Sequence, residues 1–115
     1  MEIVRIEPGP RMSGAVVHGN TVYLSGHVSK LPAGSVRGQT EAILSRIDAR
    51  LMAAGTDRSK VLSANIWLTD ISTFEEMNAV WDAWIDPANP PARATVEARL
   101  ASADYLVEIA IIAAC

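Results

Sequence analysis

The chain has 115 residues, half of them hydrophobic and 5% aromatic, with a net charge of −3 at neutral pH. That length fits one domain, spanning residues 1–115, and that composition excludes a disordered chain, so the core must be mainly aliphatic. The acidic balance and scattered lysines and arginines exclude the broad basic face that nucleic acids require, and the longest apolar run, Ile109 to Cys115 at seven residues, is far too short to span a membrane.

Ile3 to Ile6 reads as a short strand, ended by the loop Glu7-Pro8-Gly9-Pro10. Ala15 to His18 and Thr21 to Val28 form a hairpin around the tight turn Gly19-Asn20. Ser35 to Ala54 has helical spacing, with Val36, Thr40, Ile43, Ile47 and Leu51 in one stripe joined by Leu44, and Gly55 as its stop. Val61 to Thr69 alternates, with Leu62, Ala64, Ile66 and Leu68 on one side and Val61, Ser63, Asn65, Trp67 and Thr69 on the other. Ser72 to Glu75 has the form of a capping box, with Ser72 as N-cap, opening a helix that carries Phe74, Met77, Trp81 and Trp84 at helical spacing. Asp86-Pro87 and Pro90-Pro91 prevent that helix from continuing. Arg93 to Leu100 and Tyr105 to Ala113 read as the last two strands.

The order β-β-β-α-β-α-β-β predicts an α+β fold, a mixed six-stranded sheet with two amphipathic helices on one face. The last strand has large side chains on both of its faces, so it must be covered twice. The chain is too short to supply a second layer, and oligomerisation is the simplest source of one.

Arg93 is the first candidate for chemistry. Pro90-Pro91 fixes the backbone just ahead of it, and a planar guanidinium held there could grip a carboxylate with two parallel hydrogen bonds. Alternation puts Arg93, Thr95, Glu97 and Arg99 on one face; a solvated face with Glu97 and Arg99 as a surface pair is the alternative. Glu108, the only charge between Tyr105 and Cys115, is the second candidate. A lone acid in an apolar strand is paired, exposed at an edge, or functional as a proton shuttle; a structural partner for an arginine is the bland reading. Ser25-Gly26-His27 ends the hairpin, where a glycine would let a ligand approach the backbone. Asn78 shares a helix with Met77 and Trp81 and faces either inward or to solvent, while Trp81 and Trp84 read as core. His18 and His27 have no metal-ligand spacing, no phosphate-binding glycine pattern is present, and the lone Cys115 allows neither an intramolecular disulfide nor a zinc finger.

Taken together, Gly19 to Gly26, Asn65 to Asp70, Phe74 to Asn78, Pro91 to Glu97 and Val107-Glu108-Ile109 resemble the Rid (reactive intermediate deaminase) family, also called the YjgF/UK114 family, in order and spacing over nearly the whole chain. The Pro-Ala-Arg segment, followed fifteen residues later by the glutamate, is the most specific part. The resemblance implies a chorismate-mutase-like fold and a homotrimer whose sheets pack together, with clefts between subunits. It also implies cofactor-independent hydrolysis of 2-aminoacrylate-like enamines or imines to 2-keto acids and ammonia; the single cysteine fits a cytoplasmic location, and charge, hydropathy and spacing point to no nucleic acid, membrane or metal. Arg93 matches the arginine that binds the substrate carboxylate and Glu108 the glutamate near the attacking water. Ser25, Gly26 and Asn78 match pocket positions, His27 stands where relatives often have glutamine, and Thr95 stands where they carry a small residue or cysteine. Gly9-Pro10 leads into Arg11-Met12, so the tyrosine that many members have there is missing. The alternative is a non-catalytic module that binds small carboxylates or keto acids in the same clefts. A nuclease role is opposed by the acidic balance.

Overall fold

The computed structural model describes residues 1–115. Seven strands are present: Ile3–Pro8 (β1), Ser13–His18 (β2), Thr21–Leu24 (β3), His27–Val28 (β4), Val61–Leu68 (β5), Ala92–Glu97 (β6) and Val107–Ala114 (β7). Two helices, Val36–Ala53 (α1) and Phe74–Trp84 (α2), pack on one side of the single mixed sheet, as expected. The sheet runs β1-β2-β3-β7-β5-β6, and β4 continues the line of β3 along β7. Only β5 and β6 are parallel, because the chain must return through α2 to reach β6.

The count is seven rather than six because the expected strand Thr21–Val28 breaks at Ser25-Gly26. Gly26 has Glu108 against it: a Cβ there would stand 2.2 Å from Glu108 Oε2. The hairpin before the break turns on Gly19, at φ +60°, in a two-residue loop between His18 and Thr21.

The stripe predicted for α1 is its buried face, with Gln39 added to it. Ser35 caps the helix start, its side chain accepting from the Gly38 N–H at 3.0 Å. At the other end the Gly55 N–H donates to the Met52 carbonyl and the Thr56 N–H to that of Leu51, with Gly55 at φ +83°. This is the paired closure that a left-handed glycine permits.

Two local expectations are corrected. The capping box at Ser72 does not form. Asp70 caps a short 3-10 turn, Ile71–Thr73, its carboxylate accepting from the Ser72 N–H, while the Ile71 N–H donates to Glu97 Oε1 at 3.0 Å. The extra turn delays α2 to Phe74, whose cap position, Thr73, makes no side-chain bond. On β5 the alternation slips at its start. A bulge between Val61 and Ser63 buries Val61 and exposes Leu62, whereas Ala64, Ile66 and Leu68 face the helices as expected.

The aliphatic core lies between the sheet and the helices and includes Ile43, Leu44, Ile47, Ile66, Ile109 and Ile111. The molecule measures 42 × 37 × 20 Å, thick enough for a sheet and one helical layer. The opposite sheet face carries Val16, Tyr23, Trp67, Val96 and Ile112, half-buried or exposed, with no layer of the chain over it.

Candidate functional site

Arg93 is the second residue of β6, separated from the double proline by Ala92, and its register partner is Ala64. Ala64 faces the helices, so Arg93 does too. Its guanidinium carbon lies 5.6 Å from the centre of the Phe74 ring and 5.3 Å from that of Trp81, both on α2. Arg37, Arg50 and Arg58 each pair with an acid of the chain. Arg93 has no carboxylate within ion-pairing distance and makes no hydrogen bond; the surface pair between Glu97 and Arg99 does not form either.

Thr95 is the next inward residue of β6, and Asn78 lies on α2 between Phe74 and Trp81. Thr95 Oγ1 and Asn78 Oδ1 are both buried without a hydrogen-bond partner. An unpartnered buried polar atom costs roughly 1–3 kcal/mol. Both stand on β6 and α2, the two elements that also carry Arg93 and its rings, and neither is satisfied within the chain.

Glu108 belongs to the other face. Its register partners are Trp67 and Val28, while its neighbours Val107 and Ile109 point into the core. Its carboxylate reaches over Gly26, where only a glycine leaves room, and no arginine or lysine pairs with it. Ser25 sits beside it at the break between β3 and β4, its N–H held by the Gly14 carbonyl at 3.0 Å. Within one chain the expected site residues therefore form two groups. Arg93, Thr95 and Asn78 lie between β6 and α2; Ser25, Gly26 and Glu108 lie on the uncovered face.

His27 joins neither group. It pairs with Ile109, faces the helices and is 6% exposed. Because a carbonyl can only accept, the 2.8 Å contact between His27 Nδ1 and the Ser25 carbonyl puts the proton on Nδ1. Nε2 is left buried and unpartnered. Burial lowers the imidazole pKa below its ordinary value of 6.5; the bond to Ser25 opposes the shift, and the charges of Arg50 and Arg46 add to it.

The roomiest depression, about 680 Å³, lies at the end of β6 among Glu97, Arg99, Ser102 and Tyr105, and neither Arg93 nor Glu108 lines it. Among sequence features, the aromatic cover of Arg93 was visible only as the seven-residue spacing of Phe74 and Trp81, which equally describes a core stripe. No group of three or more histidine, cysteine or acidic side chains is arranged to hold a metal ion, and no helix is long and apolar enough to cross a membrane.

A family model described as endoribonuclease L-PSP matches residues 2–115. A crystal structure of NMB1025, a YjgF protein family member from Neisseria meningitidis, superposes with a TM-score of 0.95 at 42% identity, covering 99% of this chain and 95% of that one. The chain belongs to the YjgF/Rid family. Among other members, a RutC family protein of Haemophilus influenzae is 41% identical over 116 residues, covering both chains completely. The chloroplastic Reactive Intermediate Deaminase A of Arabidopsis thaliana is 32% identical over 122 residues, 97% of this chain and 65% of that one. The names within the YjgF/Rid family thus include both a ribonuclease and a deaminase.

Proposed function

We propose that this YjgF/Rid protein is a cofactor-independent, cytoplasmic enamine/imine deaminase that converts amino-acid-derived imines to 2-keto acids and ammonia. The observation that carries the reading is Arg93. It is a half-buried guanidinium, backed by two aromatic rings and left without an anion by its own chain. Its forked N–H groups suit a carboxylate.

The opposed faces of Arg93 and Glu108 support a composite site. Arg93, Thr95 and Asn78 of one copy would meet Ser25, Gly26 and Glu108 of the next across a homotrimer interface, which would also cover the apolar sheet face. A cyclic assembly repeats such a contact at every interface. Arg93 fixes the substrate carboxylate and so aims the imine carbon. Water held at Glu108 adds to that carbon, giving up a proton to the carboxylate as the C=N electrons move to nitrogen. Glu108 passes that proton to the nitrogen, completing the carbinolamine, then takes the hydroxyl proton and delivers it to the amine as the C–N bond breaks, so that ammonia leaves and the carbonyl of the keto acid forms. His27 acts at a distance by holding the Ser25 carbonyl.

A ribonuclease needs a track of cations for successive phosphates. Arg93 stands alone in its group, and the chain is acidic overall, so a single small carboxylate fits better.

The test is the decay of an imine released by an amino-acid oxidase, followed with and without the protein. Arg93→Ala removes a charge-assisted bidentate contact of about 1.5–3 kcal/mol and should abolish most of the acceleration while the assembly stays intact by sedimentation. Full activity in that variant refutes the reading. Tight binding of keto acids without accelerated decay would make the protein a binding module instead.

A further inference from the structure

We propose that Phe74 and Trp81 are positioning residues for Arg93, an aromatic clamp that sets the plane of the guanidinium and presents its N–H edge to the ligand. The inference rests on the reading of Arg93 as the carboxylate receptor and concerns how that receptor is held. A receptor arginine is normally fixed by an acid or a carbonyl. Arg93 has neither, and its stem is long enough to sample many rotamers, so something else must order it.

Phe74 and Trp81 are seven residues apart, two turns of α2 and roughly 10.5 Å along its axis. The guanidinium carbon lies over both rings, 5.6 Å from one ring centre and 5.3 Å from the other, so it is nearly equidistant from the two. Two π-faces act on the one cation, and its attraction to both holds it there. The N–H groups lie in the guanidinium plane, at its edge, and stay free for a planar partner. An acid in place of the rings would order the arginine equally well but would consume those donors and cancel the charge.

Trp81 is itself held, 5% exposed with its ring centre 5.3 Å from that of Trp84. Trp84 in turn lies under the Arg58 guanidinium at 5.4 Å. Phe74 is half-buried at the start of α2. The second tryptophan makes one wall of the clamp rigid, and Phe74 forms the outer wall.

The experiment compares wild type, Phe74→Leu, Trp81→Leu and Trp81→Phe, with Arg93→Ala as the reference for losing the receptor. Pyruvate is the equilibrium probe, read by calorimetry, and imine decay supplies KM and kcat. Each leucine variant should raise the pyruvate Kd and the imine KM about five- to tenfold, a cation–π loss expressed as affinity. Because the grip is the same in ground and transition states, kcat should stay within about twofold. Trp81→Phe keeps a π-face and should recover most of the affinity. The Arg93 Nε–H resonance, moved upfield by the two rings in the wild type, should shift downfield in both leucine variants.

Unchanged Kd values in the leucine variants, with binding lost in Arg93→Ala, overturn the clamp and leave the carboxylate receptor standing. Equal losses in Trp81→Phe and Trp81→Leu also overturn it, because packing alone would then explain them. Wild-type affinity in Arg93→Ala removes the receptor and the clamp together. If Trp81→Leu does not fold, Phe74→Leu decides by the same criteria, since its ring lies at the rim of the core.

Discussion

Glu108 and His27 are polar residues on neighbouring strands whose side chains point to opposite faces of the sheet, and their roles separate accordingly. Glu108 lies on the uncovered face against Gly26, with no cation paired to it, and the proposed reaction assigns it the proton transfers. Glu108→Gln keeps the shape and loses the base, so single-turnover imine decay should slow about a hundredfold while the pyruvate Kd changes little; an unchanged rate would make the residue structural. His27 is buried neutral, and its free nitrogen, Nε2, has no acceptor to receive a proton. Its folded pKa lies below the ordinary 6.5, so between the two values the unfolded chain binds more protons. The stability His27 contributes is whole above pH 6.5 and is lost as pH falls below that value, until the folded imidazole protonates. Thermal unfolding across this range should show Tm falling towards acid in the wild type and a flatter profile in His27→Gln, whose amide can still donate to Ser25. Asp57, Asp70 and Asp86, lowered chiefly by side-chain hydrogen bonds from Ser59, Ser72 and Asn89, act in a separate window that opens only below 3.8.

At the level of the elements, one side chain ties α1 to the loop before β7. Gln39 is fully buried. Its Nε2 donates to the Pro32 carbonyl at 3.2 Å and the Asp104 carbonyl at 3.0 Å, and its Oε1 accepts from the Leu106 N–H at 2.9 Å. These bonds explain why Tyr105 and Leu106, expected in the last strand, lie outside it: the Leu106 N–H is spent on the helix. Gln39→Leu would leave the Asp104 carbonyl and the Leu106 N–H without their partner, while the Pro32 carbonyl still accepts from the Ser35 N–H, and urea unfolding should register a loss of about 1–3 kcal/mol; a loss below about 0.5 kcal/mol would show that water replaces the glutamine. The sequence concealed this residue because a glutamine inside a helical stripe looks like a solvated position, and its partners lie far away in the chain. The existence of α1 and α2, by contrast, was legible from spacing, and the end of α1 from Gly55, since those signals are local. The start of α2 was misread because Ser72 and Glu75 carry a local capping signal that lost to Asp70 and to the distant Glu97.

The proposed assembly makes a prediction that a single chain cannot satisfy. If Arg93 of one copy meets Glu108 of the next, Arg93→Ala and Glu108→Gln disable different halves of each site. Coexpressed in equal amounts, they should form mixed trimers in which about a quarter of the interfaces carry both intact residues, and activity should return to roughly that fraction. Mixtures no more active than their parents would place both residues in a site within one chain, against the register that sets them on opposite faces.

From its order of residues alone the chain declared its helices, most of its strands and its family. Those are properties of periodicity, turn chemistry and residue type, which neighbouring positions carry. Tertiary structure decided the rest: that Arg93 is backed by aromatic rings rather than an acid, that Glu108 faces away from it, that His27 is buried beneath α1, and that a bulge turns Leu62 outward. Each depends on which strand lies beside which and in what register. A shift of one residue reverses the direction of every side chain in a strand, and no local signal in the sequence records that choice.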